Sequence, residues 1–266
     1  MGIAALSTRS ARGTAWQRRG AGPALVLLHG GAGSWTHWIR NIDALAVNHT
    51  LWIPDLPGMG DSAMAPEPRD HKAIAAVLAV DLDELVPEGE AIDLVGFSFG
   101  AVVAAFVAGL RRERFRRLVL VGAGGLGLRE KSERFLKPWK HLKDPLERAA
   151  ALRYNFARLM LSRDERVDDE AMALYTADVM RTRVNSARSS RTDELKHKLA
   201  DLGMPVHGIW GRRDVTAHAK FEEIHAILRA SHPPAQLHVI DDAGHWVQYE
   251  QAAAFNAALA GLLHDA

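Results

Sequence analysis

The sequence predicts an α/β fold: a mostly parallel central sheet with helices on both faces and a helical cap inserted into it. Two observations carry this expectation. Short, near-continuous runs of Val, Leu and Ile alternate with longer segments of helical periodicity, the pattern of strands covered on both faces. That rhythm stops over residues 126–200, a helical and polar stretch with more Lys and Arg than Asp and Glu, and then resumes. The chain thus divides into a core, residues 1–125 and 201–266, and a cap or lid, residues 126–200, over the strand ends.

Composition bounds the function. The 266 residues are ample for a substantial core, and 48% hydrophobic with 24% charged residues is ordinary for a globular protein. A net charge of +1 gives no global pull toward nucleic acid or a membrane surface. The absence of cysteine excludes disulfides, a thiol nucleophile and Cys-ligated metal sites. Arg9, Arg12, Arg18 and Arg19 are scattered through residues 1–22 without an apolar run, so no signal peptide is expected there. No run approaches the length of a bilayer span. The expectation is a cytoplasmic protein with a small-molecule substrate and neither nucleic acid nor membrane as partner. A homo-oligomer is left open.

In chain order, residues 1–22 read as one or two peripheral strands with a turn near Arg12-Gly13. The strand Ala24–His29 ends in Gly30-Gly31-Ala32-Gly33, and a helix is predicted over 34–47 from the spacing of Trp35, Trp38, Ile39, Ile42 and Leu45. A strand over 50–53 stops at a turn rich in Pro and Gly, and Ile74, Val77, Leu78, Leu82 and Leu85 give a helix over 71–85 one apolar face. The run Ala91–Val95 leads into Gly96-Phe97-Ser98-Phe99-Gly100 and an Ala-rich helix. Strands follow over 118–121, 206–211 and 236–241, with helices over about 219–230 and 251–263.

A serine between two glycines at a strand-to-helix turn is the nucleophile elbow, G-x-S-x-G. The turn is so tight that its neighbours must lack a Cβ, and it lifts Ser98 above the sheet edge. A serine hydroxyl needs a base, and the base needs an orienting group. Both are sought at the C-terminal ends of other strands, facing the same crevice. His245, in a Gly-containing loop after the last strand, supplies the base, and Asp214, three residues past Gly211, supplies the acid. Asp241 and Asp242 are rivals for the acid, set too close to His245 on the same strand end. Two amides must receive an oxyanion: Phe99, just after the nucleophile, and Gly31, in the loop after the first long strand. Trp35, His37, Phe97, Trp246 and Arg181 are candidate substrate contacts, with Met59, Trp139 and Phe135 as further candidate walls.

These residues make the chain resemble the α/β-hydrolase family along nearly its whole length. The matching pieces are His29-Gly30-Gly31, the turn Asp55–Ser62, the Ser98 elbow, Trp210-Gly211-Arg212-Arg213-Asp214 and Gly244-His245-Trp246. The resemblance implies a Ser-His-Asp hydrolase with no cofactor or metal, and it makes Asp55 a structural residue of its turn. Residues 244–250 look most like the meta-cleavage-product hydrolases, which cleave a carbon–carbon bond in dienoic ring-fission products. The chain departs from them where Phe97 replaces an Asn before the serine, where Ala32-Gly33-Ser34 replaces Gly-Pro-Gly, and where His37 stands in place of an Asn. The expectation is therefore acyl transfer on a small, largely apolar ester or related carbonyl compound. Carbon–carbon hydrolysis is the alternative within the family, and a ligand receptor or scaffold with little turnover is the alternative of another class. Arg181, Arg183 and Arg188 offer an anion site or a solvated helix face.

Overall fold

The computed structural model describes residues 6–128 and 136–264. Eight strands form one sheet: β1 (Leu6–Arg9), β2 (Ala15–Arg19), β3 (Ala24–Leu28), β4 (Thr50–Pro54), β5 (Ile92–Phe97), β6 (Phe115–Val121), β7 (Val206–Gly211) and β8 (Leu237–Ile240). Their order is β1-β2-β4-β3-β5-β6-β7-β8. The pairs β1/β2 and β2/β4 are antiparallel, and every other pair is parallel. The peripheral strands expected before residue 22 are thus an antiparallel edge on a six-stranded parallel sheet. β1 is exposed along its length, as suits a short edge strand.

Alternation along the central strands feeds two separate cores. Leu28, Leu94, Leu118 and Leu120 point into one apolar cluster, and Leu27, Val95, Val119 and Val121 into the other. The first cluster is closed by helices His71–Leu85 and Phe99–Leu110, the second by Ala252–His264. Burial on both faces is what makes these strands read as unbroken apolar runs.

The predicted helix over 34–47 is two pieces, a 3₁₀ turn at Trp35–Trp38 and a short helix at Ile42–Leu45. Asp55 Oδ1 accepts the Trp35 N–H at 2.9 Å, and His37 Nδ1 accepts the Gly30 N–H at 3.2 Å. These bonds pin the first turn to the preceding loop and to the turn after β4. Helical spacing was real, but local polar partners cut the helix.

Among the described residues no strand lies between β6 and β7, where helices Pro145–Met160, Asp169–Met180, Ala187–Ser190 and Glu194–Ala200 follow one another. Phe156, Met160 and Ala171 bury against Trp246 in the second core. Leu195 and Leu199 join the first core with helix Phe99–Leu110, so Glu194–Ala200 packs as part of the outer helical layer. Phe135 lies outside the described residues. Among those described, no helix is long and apolar enough to cross a membrane.

Candidate active site

The chain turns from β5 into helix Phe99–Leu110 at Ser98, whose backbone sits at φ 52°, ψ −112°. A non-glycine residue at this φ is strained, and here the surrounding packing enforces it. A Cβ on Gly96 would come within 2.6 Å of the Ala101 Cα, and one on Gly100 within 2.4 Å of the His29 carbonyl oxygen. Only glycine fits either side. The Ser98 N–H is held by the Val121 carbonyl at 2.8 Å, which fixes the elbow to the end of β6.

The structure brings Ser98, His245 and Asp214 into one hydrogen-bonded series. His245 Nε2 lies 3.0 Å from Ser98 Oγ, and His245 Nδ1 lies 2.9 Å from Asp214 Oδ2. His245 and Asp214 are buried, while Ser98 is partly exposed. Asp214 holds the proton of the ring on Nδ1, leaving the Nε2 lone pair directed at the serine hydroxyl. Asp214 is itself fixed by Thr216, whose N–H and Oγ1 each donate to Oδ1 at 2.8 Å. The backbone of Gly122 closes over the pair, since a Cβ there would lie 3.2 Å from both Asp214 Oδ2 and His245 Nδ1. The rival acids are engaged elsewhere: Asp241 pairs with Arg212, and Asp242 with Arg163 and Arg166.

Gly31 and Phe99 are neighbours beside the serine. A Cβ on Gly31 would stand 3.5 Å from the Phe99 Cβ, and one on Gly30 3.3 Å from the Ser98 Cβ. Phe99 opens its helix, where amide N–H groups lack intrahelical acceptors. Their loop is braced by His29, whose Nε2 accepts the Leu56 N–H at 2.8 Å and whose Nδ1 is 2.7 Å from the Gly30 carbonyl. Asp55 joins it to the next turn through the N–H groups of Trp35 and Asp61, a structural role as expected.

The predicted substrate contacts are placed differently. His37, Phe97 and Trp246 are 3%, 1% and 1% exposed. They pack on one another behind His245, with ring centroids 5.3 Å apart for His37–Phe97 and 5.0 Å for Phe97–His245. The reason is the strand period: alternation on β5 sends Phe97 into the second core, with Val95. Burial, with His29 and His245 nearby, holds the His37 imidazole well below its usual range, so it is neutral. Trp246 donates its Nε1–H to the His37 carbonyl at 2.9 Å and stacks on Tyr249 at 4.1 Å. Met59 is fully buried, while Trp35 and Trp139 are partly exposed. Arg181 is exposed and paired with Asp61, and Arg183 donates to the Ser62 carbonyl, so both are engaged by the turn after β4.

The stretch between β6 and β7 meets the loops around Ser98 through residues 184–190. A Cβ on Gly31 would meet Ser186 Oγ at 2.1 Å, one on Gly58 would meet Val184, and one on Gly124 would meet Ser190. Two polar contacts, one buried and one partly so, tie neighbouring residues of this stretch to the rest of the chain. Asp178 accepts from Thr36 Oγ1 at 2.9 Å, next to Ser34, and His71 Nδ1 lies 2.9 Å from Ser189 Oγ. Burial pushes the Asp178 carboxyl up to about 6, against the hydrogen bonds of Ser34 and Thr36. Burial likewise raises the Tyr175 hydroxyl, in the same helix, to about 12. Thr216, Asp178 and Ser186 were missed from sequence. Only Thr216, two residues after the acid in a turn, left a local hint.

A partly exposed serine on a strained turn, next to an oriented imidazole at the carboxyl ends of parallel strands, defines a class of enzyme. Residues 25–258 match the model of the alpha/beta hydrolase family. The chain belongs to that family and is a hydrolase of it. It is 31% identical to a 2-hydroxy-6-oxononadienedioate/2-hydroxy-6-oxononatrienedioate hydrolase of Burkholderia vietnamiensis, over 88% of this chain and 84% of that protein. It is 30% identical to the dihydrolipoyllysine-residue acetyltransferase component of the acetoin cleaving system of Pseudomonas putida, over 91% of this chain but only 64% of that protein's length. A meta-cleavage product hydrolase structure from Pseudomonas fluorescens superposes with a TM-score of 0.73 at 24% identity, covering 95% of this chain and 94% of the other.

Proposed function

We propose that the chain is a serine hydrolase that cleaves a small, largely apolar ester or related carbonyl compound by acyl transfer. The observation that carries this reading is the series Ser98 Oγ, His245 Nε2 at 3.0 Å, and Asp214 Oδ2 at 2.9 Å from Nδ1. Ser98 Oγ attacks the carbonyl carbon as His245 takes its proton, and the Gly31 and Phe99 amides receive the oxyanion. His245 then gives the proton to the leaving alcohol. Water repeats the sequence on the acyl-enzyme and frees the acid. Uncharged side chains flank the nucleophile and the base, and Arg181 is engaged with Asp61, which favours an uncharged substrate over a carboxylate.

The similarity to dienedioate hydrolases favours a second reading, hydrolysis of a carbon–carbon bond in a vinylogous diketone by the same three residues. The two readings separate in one panel. Short p-nitrophenyl esters are expected to be hydrolysed by the wild type, with Ser98→Ala slower by about a thousandfold or more and still folded. Equal rates in the two proteins would end the serine mechanism. Bleaching of yellow dienone substrates without ester turnover would transfer the assignment to carbon–carbon cleavage. Failure of a fluorophosphonate to label Ser98 would point to a binding protein on the same fold.

A further inference from the structure

We propose that Glu250 is a positioning residue for His245, acting through the Gly244 amide and fastening the histidine's loop to the root of the cap. The inference rests on the reading of His245 as the base. The Glu250 side chain is only 2% exposed. Its Oε2 accepts the Gly244 N–H at 2.6 Å, one residue before the histidine. On the cap side it accepts the Ser162 N–H at 3.0 Å on each oxygen and the Ser162 Oγ–H at 2.8 Å on Oε1. Arg166 Nη1 approaches Oε1 at 3.4 Å. Every partner is a donor, which only an acceptor-only group at this position satisfies.

The residue on the other side of His245 is held from the same place. The Trp246 N–H donates to the Met160 carbonyl at 2.7 Å, the last residue of helix Pro145–Met160. Gly244 is pressed between two backbones: its Cβ would strike the Leu161 carbonyl carbon at 2.4 Å, and a Cβ on Gly211 would strike the Gly244 oxygen at 2.1 Å. Residues 160–162 therefore form a shelf on which the histidine's loop rests, and Glu250 bonds the loop to that shelf. Ser162 lies 88 residues from Glu250 in sequence, so no local pattern announced the contact.

Glu250→Gln keeps volume and shape but exchanges one acceptor oxygen for a donor, so either Gly244 or Ser162 loses its partner. The protein is titrated with a fluorophosphonate to count sites, and kcat per titrated site and KM are measured with a p-nitrophenyl ester. The expected result is a fall in kcat per site of about tenfold to a hundredfold, with KM within about twofold. A role in folding alone would lower the number of titrated sites and leave kcat per site within about twofold, which would overturn the inference. Glu250→Asp, which keeps the charge and shortens the reach, carries the same split should the Gln variant not fold. A proton NMR arm is independent of turnover. The downfield imidazole N–H signal of His245, assigned by its loss in His245→Ala, is expected to shift or broaden in Glu250→Gln. An unchanged signal would also overturn the inference. Wild type that fails to react with the probe would instead remove the base reading itself.

Discussion

The turn that carries Ser98 and the loop that carries His245 present their side chains to each other at 3.0 Å, yet the same restraints are weighted differently in the two. The serine turn is held mainly by exclusion, with one backbone bond from the Ser98 N–H to the Val121 carbonyl. Gly96 and Gly100 lie against backbone atoms of the nucleophile helix and of β3 and its loop, so the geometry follows from which atoms are absent. The histidine loop also needs glycine, at Gly244, but it adds polar attachment, through the Gly244 and Trp246 N–H groups and through a carboxyl oriented by Thr216. Steric exclusion is written into five consecutive residues, whereas polar attachment draws on partners scattered along the chain. One is legible as a motif and the other is not.

The strongest way to break this contrast is to put a methyl group into the elbow. Gly100→Ala would place a Cβ 2.4 Å from the His29 oxygen, and the expected cost is about 3 kcal/mol or more, measured as a lowered denaturant midpoint. Gly261, in the last helix, has nothing within 4 Å of its would-be Cβ. Gly261→Ala should therefore be neutral or raise stability by up to about 1 kcal/mol. Equal effects of the two substitutions would show that the elbow has slack.

A smaller effect is expected on the polar side. Thr216→Val keeps the shape and the backbone bond but removes the hydroxyl that donates to Asp214 at 2.8 Å. About 1–2 kcal/mol of orientation should be lost, read as a roughly tenfold fall in kcat with little change in Tm. An unaltered kcat would mean that the Thr216 N–H alone fixes the carboxyl.

The smallest effect tests the contact of Asp178 with Thr36. Asp178 titrates at about 6 in the fold, above its ordinary 3.8, because burial outweighs the bonds from Ser34 and Thr36, and Asp55 nearby adds to the rise. The sign follows from linkage: a raised carboxyl contributes its full stability below its ordinary range and loses it as pH rises through about 6. Asp178→Asn, which keeps an acceptor for Thr36, should raise Tm by a few degrees at pH 8 and by nothing at pH 4. A gain independent of pH would show that Asp178 does not carry the effect through its charge.

The sheet was readable because β3, β5, β6 and β7 are buried on both faces and so leave unbroken apolar runs in the sequence. The meeting of Ser98, Asp214 and His245 was readable for a related reason: each follows a strand, and parallel strands deliver their ends to one rim. The candidate substrate contacts were misplaced where sequence distance to Ser98 or His245 stood in for direction. Phe97 and Trp246 adjoin those residues in the chain but turn into the second core, while Arg181 turns outward to Asp61. Glu250, Thr36 and Ser186 stayed hidden because their partners lie far along the chain, in elements whose docking no periodicity encodes.

The glycines at the rim have a further meaning. Gly31, Gly58 and Gly124 each lie under Ser186, Val184 or Ser190, at a clearance too small for a single methyl group. Floor and roof meet there along a seam seven residues wide. Residues 184–190 therefore lie directly on the loops that flank Ser98, and added volume at 184, 186 or 190 would be felt there first. Larger side chains at 184, 186 or 190, with the strands left untouched, are the direct way to lift this segment off the glycines.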